Sequence, residues 1–139
     1  MSYCTQTDLI ERFGESEIRQ LSDRHNVGDI DADVVARAIA DADGEIDGYL
    51  GGRFTLPLAN VPTVLVRVAC DIARYYLYDD AVSEQVVRRY NDARDFLRSA
   101  GRGDISLGVD ANGAAPVSDN TATLESGGSV FNRSDKGFI

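Results

Sequence analysis

Catalysis and metal binding need particular side chains at particular spacings, and this chain offers few. His25 is the only histidine, with no second histidine or paired cysteine to join it as ligand or general base, so it reads as a solvated loop residue. Cys4 and Cys70 are the only cysteines, and their spacing matches neither a metal site nor a redox pair. They read as two reduced, packed thiols. Asp29-Ile30-Asp31-Ala32-Asp33 has the look of a calcium loop. Its sixth and twelfth positions, where such a loop wants Gly and Glu, are Val34 and Ala40. Asp43 and Asp47 stand one helical turn apart, but no further ligands accompany them. Gly51-Gly52 is not a phosphate loop, because no Lys-Ser/Thr follows. Without a nucleophile beside a base, a ligand cluster or a set of opposed carboxylates, the chain reads as a non-enzyme without cofactor or metal.

The bulk properties point the same way. The 139 residues suit one domain. A net charge of −9 argues against nonspecific binding to nucleic acid or to an anionic membrane. The charge is uneven, with a net of −7 over residues 1–60, +1 over 61–103 and −3 over 104–139. No basic segment followed by an apolar run opens the chain, so a secretion signal is not expected. No apolar run approaches the ~20 residues that span a bilayer. Without such a signal the sequon at Asn132 carries no weight, and the Arg102-Gly103-Asp104 tripeptide is discounted because it sits at a helix stop.

The elements that must position any functional surface are helical. Thr5 and Asp8 form a capping box for a short helix with Leu9, Ile10 and Phe13 on one face, ended by Gly14. Ser16 is the expected cap of a second short helix carrying Ile18 and Leu21. Asp31 or Asp33 caps a long helix. Its Val35, Ala38, Ile39, Ala42, Ile46, Tyr49 and Leu50 make an apolar face. Ala36, Ala40, Gly44 and Gly48 recur at steps of four and make a second, smooth face, suited to close approach by another helix of the same subunit or the next. Gly51-Gly52 stops this helix.

Asn60-Val61-Pro62 opens the next helix, with Pro in the first turn. It has a wide apolar face as far as Leu77 and is apolar nearly all round in its first half, which marks the most buried element of a bundle. Tyr75, Tyr76 and Tyr78 cluster at its end, as half-core residues or as an interface. Asp79-Asp80 breaks the pattern, and Ser83 caps a last helix through Ser99 with Val86, Tyr90, Ala93 and Leu97 inward. Its Arg88, Arg89, Arg94 and Arg98 sit among Asp92 and Asp95. They pair with them at i,i+3 and i,i+4, or with the acidic half of a neighbouring subunit.

After residue 103 the composition changes. Ile105 to Val109 alternates as a short strand would, and so does Thr121 to Leu124. The stretch between is a polar, low-complexity spacer. Val130, Phe131, Phe138 and Ile139 return as apolar anchors. The expectation is a mainly α protein: a helical body over residues 1–103, a bundle of about four to five helices, and an extended C-terminal arm over 104–139 with short β-strands. The arm docks on its own body or on a partner. The interface candidates are Ala40, Gly44, Gly48, Tyr75, Tyr78, Arg88, Arg89, Ile105, Leu107, Leu124, Val130, Phe131, Phe138 and Ile139.

The order of several short motifs adds a family. Tyr3-Cys4-Thr5 precedes Asp8-Leu9-Ile10-Glu11-Arg12-Phe13-Gly14. The block Ala42 through Leu58 contains Ile46-Asp47-Gly48-Tyr49-Leu50, Arg53-Phe54 and Leu56-Pro57-Leu58. Val61-Pro62 opens an apolar helix, and Asn132-Arg133-Ser134-Asp135 and Lys136-Gly137 lie between Phe131 and Phe138. Together these resemble the Mu-like phage family of small head–tail connector (neck adaptor) proteins. The resemblance implies a structural virion protein made in the host cytoplasm and built into the neck. There it forms a homo-oligomeric ring, a dodecamer, under the portal protein. It also implies a further contact with the next neck or tail-completion protein, and a lumen through which DNA passes without specific binding. No membrane is involved. The residues read alone leave a second possibility, a monomeric acidic helical protein-binding module or regulator.

Overall fold

The computed structural model describes residues 2–109. Five helices follow one another: α1 (Gln6–Phe13), α2 (Glu15–Ser22), α3 (Ala32–Leu50), α4 (Thr63–Leu77) and α5 (Glu84–Arg102). The described residues are mainly helical and contain no strand.

The helix starts follow local chemistry. Asp8 N–H donates to Thr5 Oγ1 at 3.2 Å, and Thr5 N–H donates to the Asp8 carboxylate at 2.9 Å, so two orphan donors are satisfied together. Gly14 ends α1 and begins α2 at once. Its φ of +93° lies in a region that favours glycine. Ser16 is therefore not the cap of α2: the Gly14 carbonyl already accepts from Ile18 N–H, and Ser16 falls inside the first turn. Between α2 and α3 the Asp23 carboxylate accepts from the N–H groups of Val27 and Gly28, at 2.9 and 2.8 Å. Those bonds hold its carboxyl below the usual carboxylate range. Asp31, rather than Asp33, caps α3, accepting from Asp33 and Val34 N–H.

The long helices make the core. Val35, Ala38, Ala42, Ile46 and Leu50 of α3 are buried, and so are Leu65, Val68, Ala69, Ile72 and Leu77 of α4. The fourth helix is the centre of the molecule, with α3, α5 and α1 all packed on it. Ile18 and Leu9 close the core from the short helices, and Val86, Ala93, Leu97 and Ala100 from α5. After α3 the chain turns with Phe54 N–H donating to Leu50 O, and Phe54 and Leu58 are both buried. Pro62 stands at the N-cap of α4, one position earlier than a first-turn proline, and its carbonyl accepts from Leu65 N–H.

The last helix runs past Ser99 to Arg102, and Gly103 caps it in the left-handed region at φ +84°. Gly101 lies within its last turn, where the backbone passes against the Tyr49 carbonyl of α3. The strand expected over Ile105–Val109 does not form. Among the described residues no neighbouring strand supplies ladder bonds, Gly108 turns the chain at φ +79°, and Gly108 N–H donates to Ser106 Oγ at 3.1 Å. The alternation still shows: Leu107 points into the body and is buried, while Ile105 is exposed. The strand expected over Thr121–Leu124 and most of the arm lie outside the described residues.

Candidate functional site

The smooth face of α3 is an outer face. Ala36, Ala40, Gly44 and Gly48 are all exposed, and at 100° per residue they stand opposite Ala42 and Ile46, which are fully buried. A Cβ added at Gly44 or Gly48 would meet nothing within 4 Å. The described residues thus give no reason for glycine at either place, although each costs the helix about 0.5–1 kcal/mol relative to Ala. Asp33, Arg37 and Asp41 edge this stripe and are exposed.

The acids of α3 that flank its buried side are engaged. Asp43 accepts from Tyr3 N–H at 2.9 Å and from Ser2 Oγ at 2.8 Å, and Asp47 accepts from Tyr3 Oη at 2.5 Å. The pair that could have suggested a metal instead clamps the N-terminal segment. Burial, then the Asp47 hydrogen bond, pushes the Tyr3 hydroxyl above its ordinary value. Cys4 and Cys70 are free and buried, and the influence of the Cys70 thiol, then burial, raises the Cys4 thiol.

Glu45 is a hub. Tyr76 Oη donates to its Oε1 at 2.5 Å and Tyr90 Oη at 3.1 Å. Arg94, expected to pair with Asp92 or Asp95, turns inward instead. It lies 5.5 Å over the Tyr90 ring, 3.9 Å from Glu45, and donates to Tyr49 Oη at 3.4 Å. Tyr75 stacks on Tyr90 with centroids 3.9 Å apart and planes 4° apart, and Tyr78 is a half-buried C-cap of α4. The tyrosine cluster thus joins α3, α4 and α5. Sequence reasoning passed over Glu45. Its place beside Ile46, at the border of the apolar face, was the available signal.

A cleft of about 390 Å³ opens where α1, α4 and α5 meet, lined by Arg12, Phe13, Arg67, Asp71, Arg89 and Asp92. Asp71 is buried, and Arg67 approaches it at 3.6 Å. Burial raises its carboxyl above the usual range, against the opposing pull of Arg89, Arg67, Arg12 and Arg74. Arg74 sits at the edge, fixed by a bidentate pair with Glu17 at 2.6 and 2.9 Å and lying 4.3 Å over Phe13. Arg12 and Arg89 have no ion pair or side-chain hydrogen bond among the described residues. Arg89 was an expected interface residue. Arg12 and Arg67 were not, although an Arg67–Asp71 i,i+4 pair on an otherwise apolar helix was a visible signal. Arg88 and Arg98 are outer residues paired with Glu84 and Asp95, at 3.3 and 2.9 Å.

Of the C-terminal candidates, Ile105 is exposed and Leu107 is buried in the subunit. Leu124, Val130, Phe131, Phe138 and Ile139 lie outside the described residues. Among the described residues no group of three or more His, Cys, Asp or Glu is placed to hold a metal ion, and no helix is long and apolar enough to cross a membrane. The described residues thus offer a smooth helix face and an arginine-lined cleft.

Residues 3–126 match the family model described as "Bacteriophage Mu, Gp36". The "Mu-like prophage FluMu protein gp36" of Haemophilus influenzae is 39% identical over 138 residues, covering 99% of this chain and 98% of its own. "Gene product J" of Escherichia phage Mu is 36% identical over 141 residues, covering 100% of both chains.

Proposed function

This chain belongs to the bacteriophage Mu Gp36 family, and from that premise we propose that it is a head–tail connector subunit of the virion neck. In this reading copies form a ring, a dodecamer, under the portal, extend the DNA channel and offer a surface to the next neck or tail-completion protein. It carries no catalytic chemistry.

The observation that carries the reading is the outward glycine-bearing face of α3. Helix-interior glycines that face open space among the described residues make sense where a second protein surface comes close to the backbone. The motif block Ala42–Leu58 supports it, because it spans the C-terminal half of that helix and the turn that orients α3 against α4. The net charge of −9 also fits, since a negative channel wall repels DNA and lets it slide. The arm beyond residue 109 is the proposed docking element.

Imaging of assembled particles with this chain labelled tests the proposal. The expected result is a ring of label at the head–tail junction. Absence from the particle, or a single copy per neck, would overturn it in favour of a monomeric binding module.

A further inference from the structure

We propose that Cys4 and Cys70 form an oxidation site, at which hydrogen peroxide entering beside the first turns of α3 converts the two thiols into a disulfide that straps the N-terminal segment to α4. The site stands apart from the proposed ring and needs no second subunit.

The first observation is that two thiols meet in one place. Cys4 and Cys70 are free, and both lie in the hydrophobic core. Each is the foremost influence on the other's proton, so the sulfurs lie side by side. Asp8 of α1 acts on both thiols, and Arg12, one turn further along, acts on Cys70. Cys70 therefore faces α1 near its start, where Cys4 lies. The backbone on either side of Cys4 is also held. Tyr3 N–H donates to the Asp43 carboxylate at 2.9 Å, and Thr5 N–H donates to that of Asp8 at 2.9 Å. A disulfide tolerates little misplacement, so a pinned partner favours it.

The second observation is access. A cavity of about 300 Å³ opens between the N-terminal segment and α3, lined by Cys4 with Val35, Ala36 and Ile39 among others. Cys70 is fully buried and does not line it. Cys4 thus stands between the cavity and Cys70. A water takes about 30 Å³ in the liquid, so a molecule of two oxygens has ample room.

The chemistry balances with the peroxide as sole oxidant. The Cys4 sulfur attacks one oxygen, an S–O bond forms and the O–O bond breaks. The departing oxygen takes the thiol proton and leaves as water. The Cys70 sulfur then attacks the Cys4 sulfur, the S–S bond forms and the S–O bond breaks. The hydroxyl leaves with the Cys70 proton as a second water. The two thiols lose two electrons and the peroxide gains them. The Cys4 thiol, and Arg12 beside it, hold the Cys70 thiol below its ordinary value against burial, which suits Cys70 to the second step. Cys4 keeps its proton more firmly, so the first step is the slow one. In a reducing compartment the pair stays as two thiols, and the cross-link records exposure to an oxidant.

The test treats the reduced full chain with hydrogen peroxide, then unfolds it in urea, alkylates the remaining thiols with a maleimide and digests it. Both free thiols should disappear, and one peptide pair should join Cys4 to Cys70 within a single chain, reversed by a reductant. Cys70→Ala removes the second step, so Cys4 should stop as a sulfenic acid that dimedone traps. Cys4→Ala should leave Cys70 a thiol while circular dichroism shows the chain folded. Ala36→Phe, at an exposed position on the cavity wall, should slow cross-linking at least fivefold with helicity unchanged. The cross-link closes a long loop of the unfolded chain and should raise Tm by at least about 5 °C. Two free thiols in the folded wild-type chain, under conditions that oxidise the urea-unfolded chain, would overturn the proposal. So would disulfides only between chains, or oxidation of Cys70 in folded Cys4→Ala as fast as in the wild type. An undiminished rate in Ala36→Phe would overturn the route of entry, and an unchanged Tm would overturn the strap.

Discussion

Tyr76 Oη donates to Glu45 Oε1 at 2.5 Å, and the same oxygen accepts from Tyr90 Oη at 3.1 Å, so one α3 carboxylate ties down hydroxyls from both α4 and α5. Arg94 adds a cation 3.9 Å away, and all of these side chains are at least partly buried. Hydrogen bonds to a charged group contribute about 1.5–3 kcal/mol, and a partner left unsatisfied in a partly dry site costs a comparable amount. Glu45→Gln should therefore destabilise the subunit by about 1–3 kcal/mol in urea unfolding. A double-mutant cycle with Tyr76→Phe should show coupling, because the second change removes a hydroxyl whose charged acceptor the first has already replaced with a neutral one. Purely additive effects would mean that the two groups do not act together.

The same contacts set an alkaline limit. Tyr3, Tyr76 and Tyr90 are all held above the ordinary tyrosine value, first by burial in each case. The Asp47 hydrogen bond adds to it at Tyr3, and the Glu45 hydrogen bond at Tyr76. A folded-state value raised above the unfolded one means that the stabilisation is complete below about pH 10 and is lost as pH rises through the folded-state values. Tyrosinate absorbance should thus lag behind that of the urea-unfolded chain, and the delayed part should appear together with loss of helical circular dichroism. Coincident titration curves with helicity intact would refute the coupling.

Much of this fold could be read from local signals because those signals act locally. The caps Thr5, Asp31 and Ser83 each bond to an N–H within three residues, and all three positions declare themselves by residue type. The two faces of α3 follow from periodicity alone. Glu45 did not declare itself, since its partners Tyr76 and Tyr90 lie 31 and 45 residues away and an acid at a helix border ordinarily faces water. The cleft draws two residues from each of three helices, a convergence that periodicity cannot express. At Ile105–Val109 the alternation was real, but a strand also needs a partner strand. Among the described residues the chain there has only the body to lie on, and Leu107 turns in with Val109 packed partly against the core.

The glycines of the long helices fall into two kinds, one held against a neighbouring backbone and the others facing open space among the described residues. A Cβ at Gly101 would fall on the Tyr49 carbonyl oxygen, a backbone atom that cannot move without shifting α3. Gly101→Ala should therefore lower stability by about 1–3 kcal/mol, the usual cost of overpacking. Gly44→Ala and Gly48→Ala meet open space and should raise the stability of the isolated subunit by about 0.5–1 kcal/mol each. Thermal melts of the three variants check the signs. If Gly44→Ala and Gly48→Ala destabilised the purified monomer, the smooth face would have a role inside the subunit and not outside it.

The boundary of the helical body can be located by truncation. A cut after residue 103 follows the last helix, but it removes Leu107, which is buried at 6% exposure, and Val109, which packs beside it. Burial of a leucine side chain contributes about 1.5–3 kcal/mol, so chain 1–103 should unfold at lower urea concentration than chain 1–109 by that margin. Leu107→Ala in chain 1–109 should reproduce most of the difference, because the same apolar area is lost while the backbone remains. Equal midpoints for the two truncations would show that Leu107 only rests on the core. Once that boundary is fixed, the arm can be tested cleanly. Chain 1–109 should keep its fold yet fail to enter particles, whereas chain 1–103 would confuse a loss of docking with a loss of stability.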